Sequence, residues 1–255
     1  MSWLYFANRL IELPLGLVGV AMGTVLVGEL TRAVRSGNAR AVAHAESRAI
    51  ELAMGLALPA TLGLIVLAGP IVRLLFEHGA FTASDTEATA RALVWLALGL
   101  PAHVLFKALA PAFFARENTS TPLASVLKGI VFALATSFLF GHFFGAEGIA
   151  ASIALGAWSS ALSLLREGAT RFGFAVDLDA RWRLPRIVMA AMAMAAAIWF
   201  ALRFLPAAGL AQAMALAALI VGGIAIYGVL LLLFGVTGWR QAVNALRGDP
   251  RDLRG

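Results

Sequence analysis

From Leu210 to Val236 the chain runs twenty-seven residues without a single charged side chain. Nothing constrains its fold more. A stretch of that length matches the hydrocarbon core of a bilayer, about 30 Å thick and crossed by about 20 helical residues. In lipid every backbone N–H and C=O must find its partner inside the structure, so such a run forms a helix or belongs to a closed barrel. Six further stretches approach the same length: Leu10 to Leu30, Leu52 to Leu75, Ala92 to Ala115, Leu123 to Phe144, Ile149 to Leu165 and Ile187 to Leu205. They lack the alternation of barrel strands and are rich in Ala and Leu, good helix formers. With 61% hydrophobic residues, 13% charged residues and a mean hydropathy of +0.86, the chain reads as an all-α membrane protein of seven transmembrane helices.

The arginines orient the helices. Counting alternate loops, one set holds fourteen arginines, in the 32–48 and 166–186 intervals, at Arg116 and in the tail; the other holds Arg9, Arg73, Arg91 and Arg203. Lys107 and Lys128 fall within apolar runs. The positive-inside rule places the richer set in the cytoplasm. The N-terminus is then outside and the C-terminus inside. This gives a first unit over 1–166 with five helices, a cytoplasmic loop over 167–186, two C-terminal helices over 187–238 and a basic cytoplasmic tail over 239–255. Pro14, Pro59, Pro101 and Pro111 lie inside helical runs and mark kinks. Gly16, Gly19 and Gly23 put small residues on one face of the first helix, a pattern of close helix packing.

Several classes of chemistry have no support. There is no cysteine, so disulfides, thiol catalysis and Cys-based metal sites are excluded. His44, His78, His103 and His142 have no metal-ligand spacing, and no HExxH, Walker or GxSxG motif occurs. Neither an enzyme nor a cofactor is expected. The net charge of +6 sits in short clusters between apolar runs, not in a basic stripe with aromatics, so nucleic acid is not an expected partner. The first residues have no basic region and no small-residue cleavage site, so no signal peptide is expected.

What remains is a few charges in or beside hydrocarbon, each costing several kcal/mol, by insertion scales about 2.5–3.5 at a helix centre. Arg9 and Glu12 are three residues apart and share a helix face. They either form a snorkelling interfacial pair or line a cavity where Arg9 meets an anion through its planar fork. Lys107 stands well inside the third run. Nine residues, about 13 Å of helix, separate it from Arg116. Its amine either snorkels to the inner interface or serves a polar path. Lys128, close behind Pro122, reads as a snorkelling residue.

Three segments resemble the lipid II flippase family MurJ (MviN), of the multidrug/oligosaccharidyl-lipid/polysaccharide exporter superfamily. The first is Ser2-Trp3-Leu4-Tyr5-Phe6-Ala7-Asn8-Arg9-Leu10 with Leu13-Pro14-Leu15-Gly16 and Ala21-Met22-Gly23-Thr24-Val25-Leu26 behind it. The second is Leu75-Phe76-Glu77-His78-Gly79-Ala80-Phe81-Thr82 with Asp85. The third is Lys107-Ala108-Leu109-Ala110-Pro111-Ala112-Phe113-Phe114-Ala115-Arg116-Glu117-Asn118-Thr119-Ser120-Thr121-Pro122. Their order and spacing fit the family over about the first 165 residues; the last two helices match in hydropathy only. The resemblance implies a fourteen-helix flippase of two six-helix lobes plus two helices, of which this chain is similar to helices eight to fourteen. It implies that Arg9, with Asn8, Glu12 and Lys107, belongs to a central cationic cavity that binds lipid II or a similar undecaprenyl-diphosphate-linked substrate. Arg116 and Glu117 are implied as a gate or inner loop, and the last two helices as a groove for the lipid tail.

Two departures stand out. The family has Asp before the cavity arginine where this chain has Asn8, which leaves Arg9 less compensated. Some members hold sodium with an acidic residue of helix seven and an Asn at the position of Ser137, so no metal site is expected. The resemblance covers a second half only. The expected partners are therefore the bilayer, the lipid-linked substrate and a first half, in the same chain or another. Two other functions stay open: export of another lipid-linked oligosaccharide, or a non-transporting remnant or scaffold.

Overall fold

The computed structural model describes residues 2–174, 177–206 and 209–236. Six helices account for almost all of them: α1 Ser2–Arg35, α2 Ala39–Phe76, α3 Ala83–Phe114, α4 Ser120–Phe172, α5 Leu178–Ala201 and α6 Gly209–Leu233, with a 3-10 turn at Leu202–Phe204 between the last two. At 1.5 Å per residue the 34 residues of α1 extend about 50 Å, so the helices run beyond the hydrocarbon at their ends. Local chemistry sets these ends. The Asn38 side chain accepts from the amides of Arg40 and Ala41 at the start of α2. Thr82 and Asp85 form a reciprocal capping box at the start of α3. Gly173, at φ 68°, closes α4, and the amide of Phe174 returns to the carbonyl of Gly168.

Helix α4 is two helices in one. Gly145 sits at φ 56°, ψ −130° in its middle, a conformation reserved in practice for glycine. There the chain reverses, and the limbs 120–144 and 146–172 lie side by side. Gly141 faces Ile149, Gly129 faces Gly156 and Ser160, and Ser125 donates to Ser163 at 3.4 Å. A Cβ on Gly129 or Gly156 would collide with the facing limb. Close approach of small residues is how helices associate where lipid removes the hydrophobic drive. The Lys128 amine also crosses this seam, to Ser163 and to Glu167 at 3.6 Å. With α4 divided, the seven apolar runs of the sequence are seven helical segments.

Contacts between distant residues define two ends. At one, Trp3 Nε1 donates to Asp85 and Arg91 pairs with Glu147. At the other, Arg116 pairs with Glu46 and Arg183 with Glu51, while the amide of Asp177 donates to Ser47. The second end carries the arginine-rich loops. Helix α4 continues to Phe172 and α5 begins at Leu178, so the interval 167–186 carries the extended ends of two helices as well as the connection between them. The tail 239–255 lies outside the described residues.

Helix α3 is the central element. Leu93, Leu100, Val104 and Ala108 pack it against α1 and α2, and Leu105, Leu109 and Phe113 against α4. Helices α5 and α6 pack on each other and on α2, with Ala190, Met194 and Ile198 facing Leu67, Leu216 and Tyr227. The Tyr227 hydroxyl donates to the carbonyl of Gly55 at 2.7 Å, which ties α6 to α2.

Candidate functional site

One face of α1 has nothing packed on it among the described residues. Tyr5, Asn8, Arg9, Glu12, Leu13, Gly16 and Leu17 are all exposed, at the spacing of a single helical stripe. The opposite face, with Ala7, Leu10, Ile11 and Val18, is buried against α2 and α3. Gly16 and Gly19 lie on the less covered side. Among the described residues no atom comes within 4 Å of a Cβ placed on Gly16, and only the Lys107 amine approaches one on Gly19. The small residues read in the sequence as a packing stripe therefore leave space where a neighbouring helix was expected; Gly23 lies outside the described side chains.

The charges of this stripe form one network. Arg9 Nη1 donates to Glu12 Oε2 at 2.9 Å, and Asn8 Nδ2 donates to Glu12 Oε1 at 2.8 Å. Arg9 Nε and Nη2 both reach the Tyr5 hydroxyl, at 3.3 and 3.1 Å, with the guanidinium 5.2 Å from the ring centre. Both members of the ion pair stay open, 58% and 47% exposed. The sequence led to the expectation that Asn8 leaves Arg9 less compensated. In the structure Asn8 holds one oxygen of Glu12 while Arg9 takes the other, so the neutral residue orients the counter-ion. Tyr5 was not singled out in the sequence; its place four residues before Arg9 was the available signal.

Lys107 comes from α3. Between Gly99 and Phe113 it is the only exposed residue. A helical side chain leans toward its own N-terminus, here away from the arginine-rich end. Its Nζ stands 3.8 Å from where a Cβ of Gly19 would be, at the midpoint of α1. Snorkelling to the arginine-rich interface is thus not what the structure shows. Arg9 and Gly19 are ten residues apart, about 15 Å of helix. The structure sets two cations, one openly paired and one without an ion-pair partner among the described residues, beside the same uncovered helix. Such an arrangement can bind an extended polyanion at two points.

Arg116 and Glu117 do not join them. Arg116 Nη2 donates to Glu46 Oε1 at 3.0 Å and Nη1 to the carbonyl of Ala112 at 2.8 Å, with the guanidinium 4.5 Å from the ring centre of Phe172. The two charged side chains are 16% and 4% exposed. Seventy residues separate the partners, and no local pattern announces the pair. Glu117 is exposed in the turn after α3, at φ 56°.

The family model described as "Lipid II flippase MurJ" matches residues 1–227. A "Probable lipid II flippase MurJ" of Rhizobium meliloti (strain 1021) is 41% identical over 246 residues, covering 93% of this chain and 45% of that protein. One of Vibrio cholerae serotype O1 is 34% identical over 241 residues, covering 92% and 46%. A solved structure titled "Lipid II flippase MurJ, inward closed conformation" superposes with a TM-score of 0.77 at 24% identity, covering 95% of this chain and 48% of that one; it shows that the fold is shared. The chain spans about half the length of the curated relatives it matches. Five helices among the described residues, one of them the double-limbed α4, are long and apolar enough to cross a membrane, and with these relatives they make the chain a multi-pass protein of the bacterial inner membrane. By the extent of its match it belongs to the lipid II flippase MurJ family.

Proposed function

We propose that the chain is the second lobe and the two C-terminal helices of a flippase that moves an undecaprenyl-diphosphate-linked peptidoglycan precursor, lipid II, across the cytoplasmic membrane for cell-wall synthesis. The observation that carries this reading is the uncovered face of α1, where Arg9, held by Asn8, Glu12 and Tyr5, and the Lys107 amine lie along one side. A face with exposed Leu13 and Leu17 beside these charges suits a central cavity closed by a first-half lobe, with N-terminus outside as the arginine distribution implies. A diphosphate is the ligand chemistry for the guanidinium fork of Arg9, and the Lys107 amine, about 15 Å further along the helix, suits a second anionic group of an extended head. Transport then follows from alternating exposure of that face as the two lobes rock. Arg9 and Lys107 hold the head group, and α5 and α6 (187–238 in the sequence reading) offer an apolar surface to the lipid tail. Arg116 acts in this reading as a fixed tie at the arginine-rich end and Glu117 as part of the adjoining turn.

The test is complementation of a strain depleted of its own lipid II flippase, with this chain co-expressed with the first half of a relative. Arg9→Ala and Lys107→Met are each expected to abolish growth at unchanged membrane levels. Growth with either variant sinks the cavity role of that residue.

A further inference from the structure

The uncovered face of α1 is not the only opening. Arg91, Trp95 and Leu98 form the exposed stripe of the first half of α3. Lys107 is sixteen residues past Arg91, which at 3.6 residues per turn is about 160° around the helix, so this stripe looks away from the Lys107 side. It opens on a cavity of about 640 Å³ between α2, α3 and α4, with Thr61, Trp95, Leu98, Ala151 and Trp158 in its apolar wall and Glu147 at one end. That volume lies within the range of about 300–1,000 Å³ of ligand pockets. From Glu147 to Trp158 the wall runs eleven residues of α4, about 16 Å, half of a hydrocarbon core of about 30 Å. The dimension is that of an acyl chain in one leaflet.

The end of the cavity is charged in a particular way. Arg91 Nε donates to Glu147 Oε1 at 2.5 Å and Arg91 Nη1 to Glu87 Oε1 at 2.6 Å. Among the described residues Arg91 Nη2 and the second oxygen of each carboxylate have no hydrogen-bond partner. One guanidinium between two carboxylates leaves a net negative charge with a donor still exposed at its centre. An anionic phospholipid head brings only like charge to the carboxylates. A choline head has no N–H to donate to them.

We propose that this cavity binds one acyl chain of a phosphatidylethanolamine-type phospholipid, whose phosphate accepts from Arg91 Nη2 while its primary ammonium donates to Glu147 and Glu87. The complementarity is between two adjacent opposite charges on the protein and two on the head group. The site is independent of the transport reading, since it lies on the other side of α3 from Lys107.

Trp95 and Trp158 line the cavity and report its occupant. The full chain with Trp3, Trp182, Trp199 and Trp239 replaced by Phe is reconstituted in vesicles of equal phosphatidylethanolamine and phosphatidylglycerol, with mid-chain bromine on one lipid at a time. Exposed ion pairs are individually modest, so brominated phosphatidylethanolamine is expected to quench about twofold to fivefold more strongly than brominated phosphatidylglycerol. Glu147→Gln, which keeps the side-chain shape, equalises the two. Ala151→Phe, which fills the cavity, lowers quenching by both to one level. Equal quenching in the parent chain, stronger quenching by phosphatidylglycerol, or a phosphatidylethanolamine preference that survives either substitution overturns the proposal.

Discussion

Replace Arg116 with Met and the carboxylate of Glu46 stays where it is, its side chain 4% exposed, with its cation gone. The gross attraction across 3.0 Å is about 5–6 kcal/mol at an effective dielectric of about 20. Desolvation costs several kcal/mol for each ion, so the intact pair contributes little net stability. Breaking it is another matter, because one buried charge is then uncompensated, at about 3–5 kcal/mol. Arg116→Met is expected to lower the unfolding free energy by about that amount. Glu46→Leu costs less, since Arg116 keeps the carbonyl of Ala112 and the ring of Phe172 and is 16% exposed. The double variant Glu46→Leu with Arg116→Met recovers most of the loss, because neither charge remains to be solvated. Reversible unfolding in mixed micelles gives all the free energies, and the cycle gives the coupling. Additive costs, or single variants within about 1 kcal/mol of the parent, refute the tie between α2 and α3 and return Arg116 to the role of a free gating residue.

Two further outcomes follow from local geometry. Gly145→Ala places a Cβ at φ 56° in open space, so its cost is backbone strain alone, about 1–3 kcal/mol by the same unfolding assay; an unchanged stability means the reversal in α4 does not need glycine. Tyr227→Phe removes the 2.7 Å bond to Gly55 and is expected to cost about 0.6 kcal/mol, the average for hydrogen bonds between membrane helices, with looser packing of α6 detected by faster proteolysis.

How much of this was legible in the sequence differs by element. Helix number and fold class were, because length and hydropathy in a bilayer leave a short menu. The arginines that sort to one end were equally readable. The Arg9–Glu12 pair is local, and its spacing of three residues announced it. Arg116 was visible as a charge, but Glu46 is seventy residues away and only the packing of α2 on α3 brings them together. Gly16 and Gly19 misled, since small residues serve close packing and open space equally well. The direction of Lys107 was left open between two alternatives for a related reason. Position along a helix does not reveal which neighbour stops short of the side chain, and here it is a glycine on α1. The cavity behind Arg91 depends on three helices and on Glu147 from beyond the reversal at Gly145, so no local pattern pointed to it.

Gly19 separates stability from the polar path. A Cβ there would meet the Lys107 amine at 3.8 Å, an ordinary contact, and nothing else among the described residues within 4 Å. Gly19→Ala therefore introduces no clash, and a helix interior gains up to about 1 kcal/mol from the exchange. Gly19→Leu brings the same backbone preference with a side chain in the space the amine occupies. Both variants are expected to be at least as stable as the parent. They should part in function: growth of the depleted strain is retained with Ala and lost with Leu, because the second displaces Lys107 from mid-α1 without touching Arg9. Growth with Gly19→Leu at normal membrane levels would mean that the approach of Lys107 to α1 is a resting position and not part of the path.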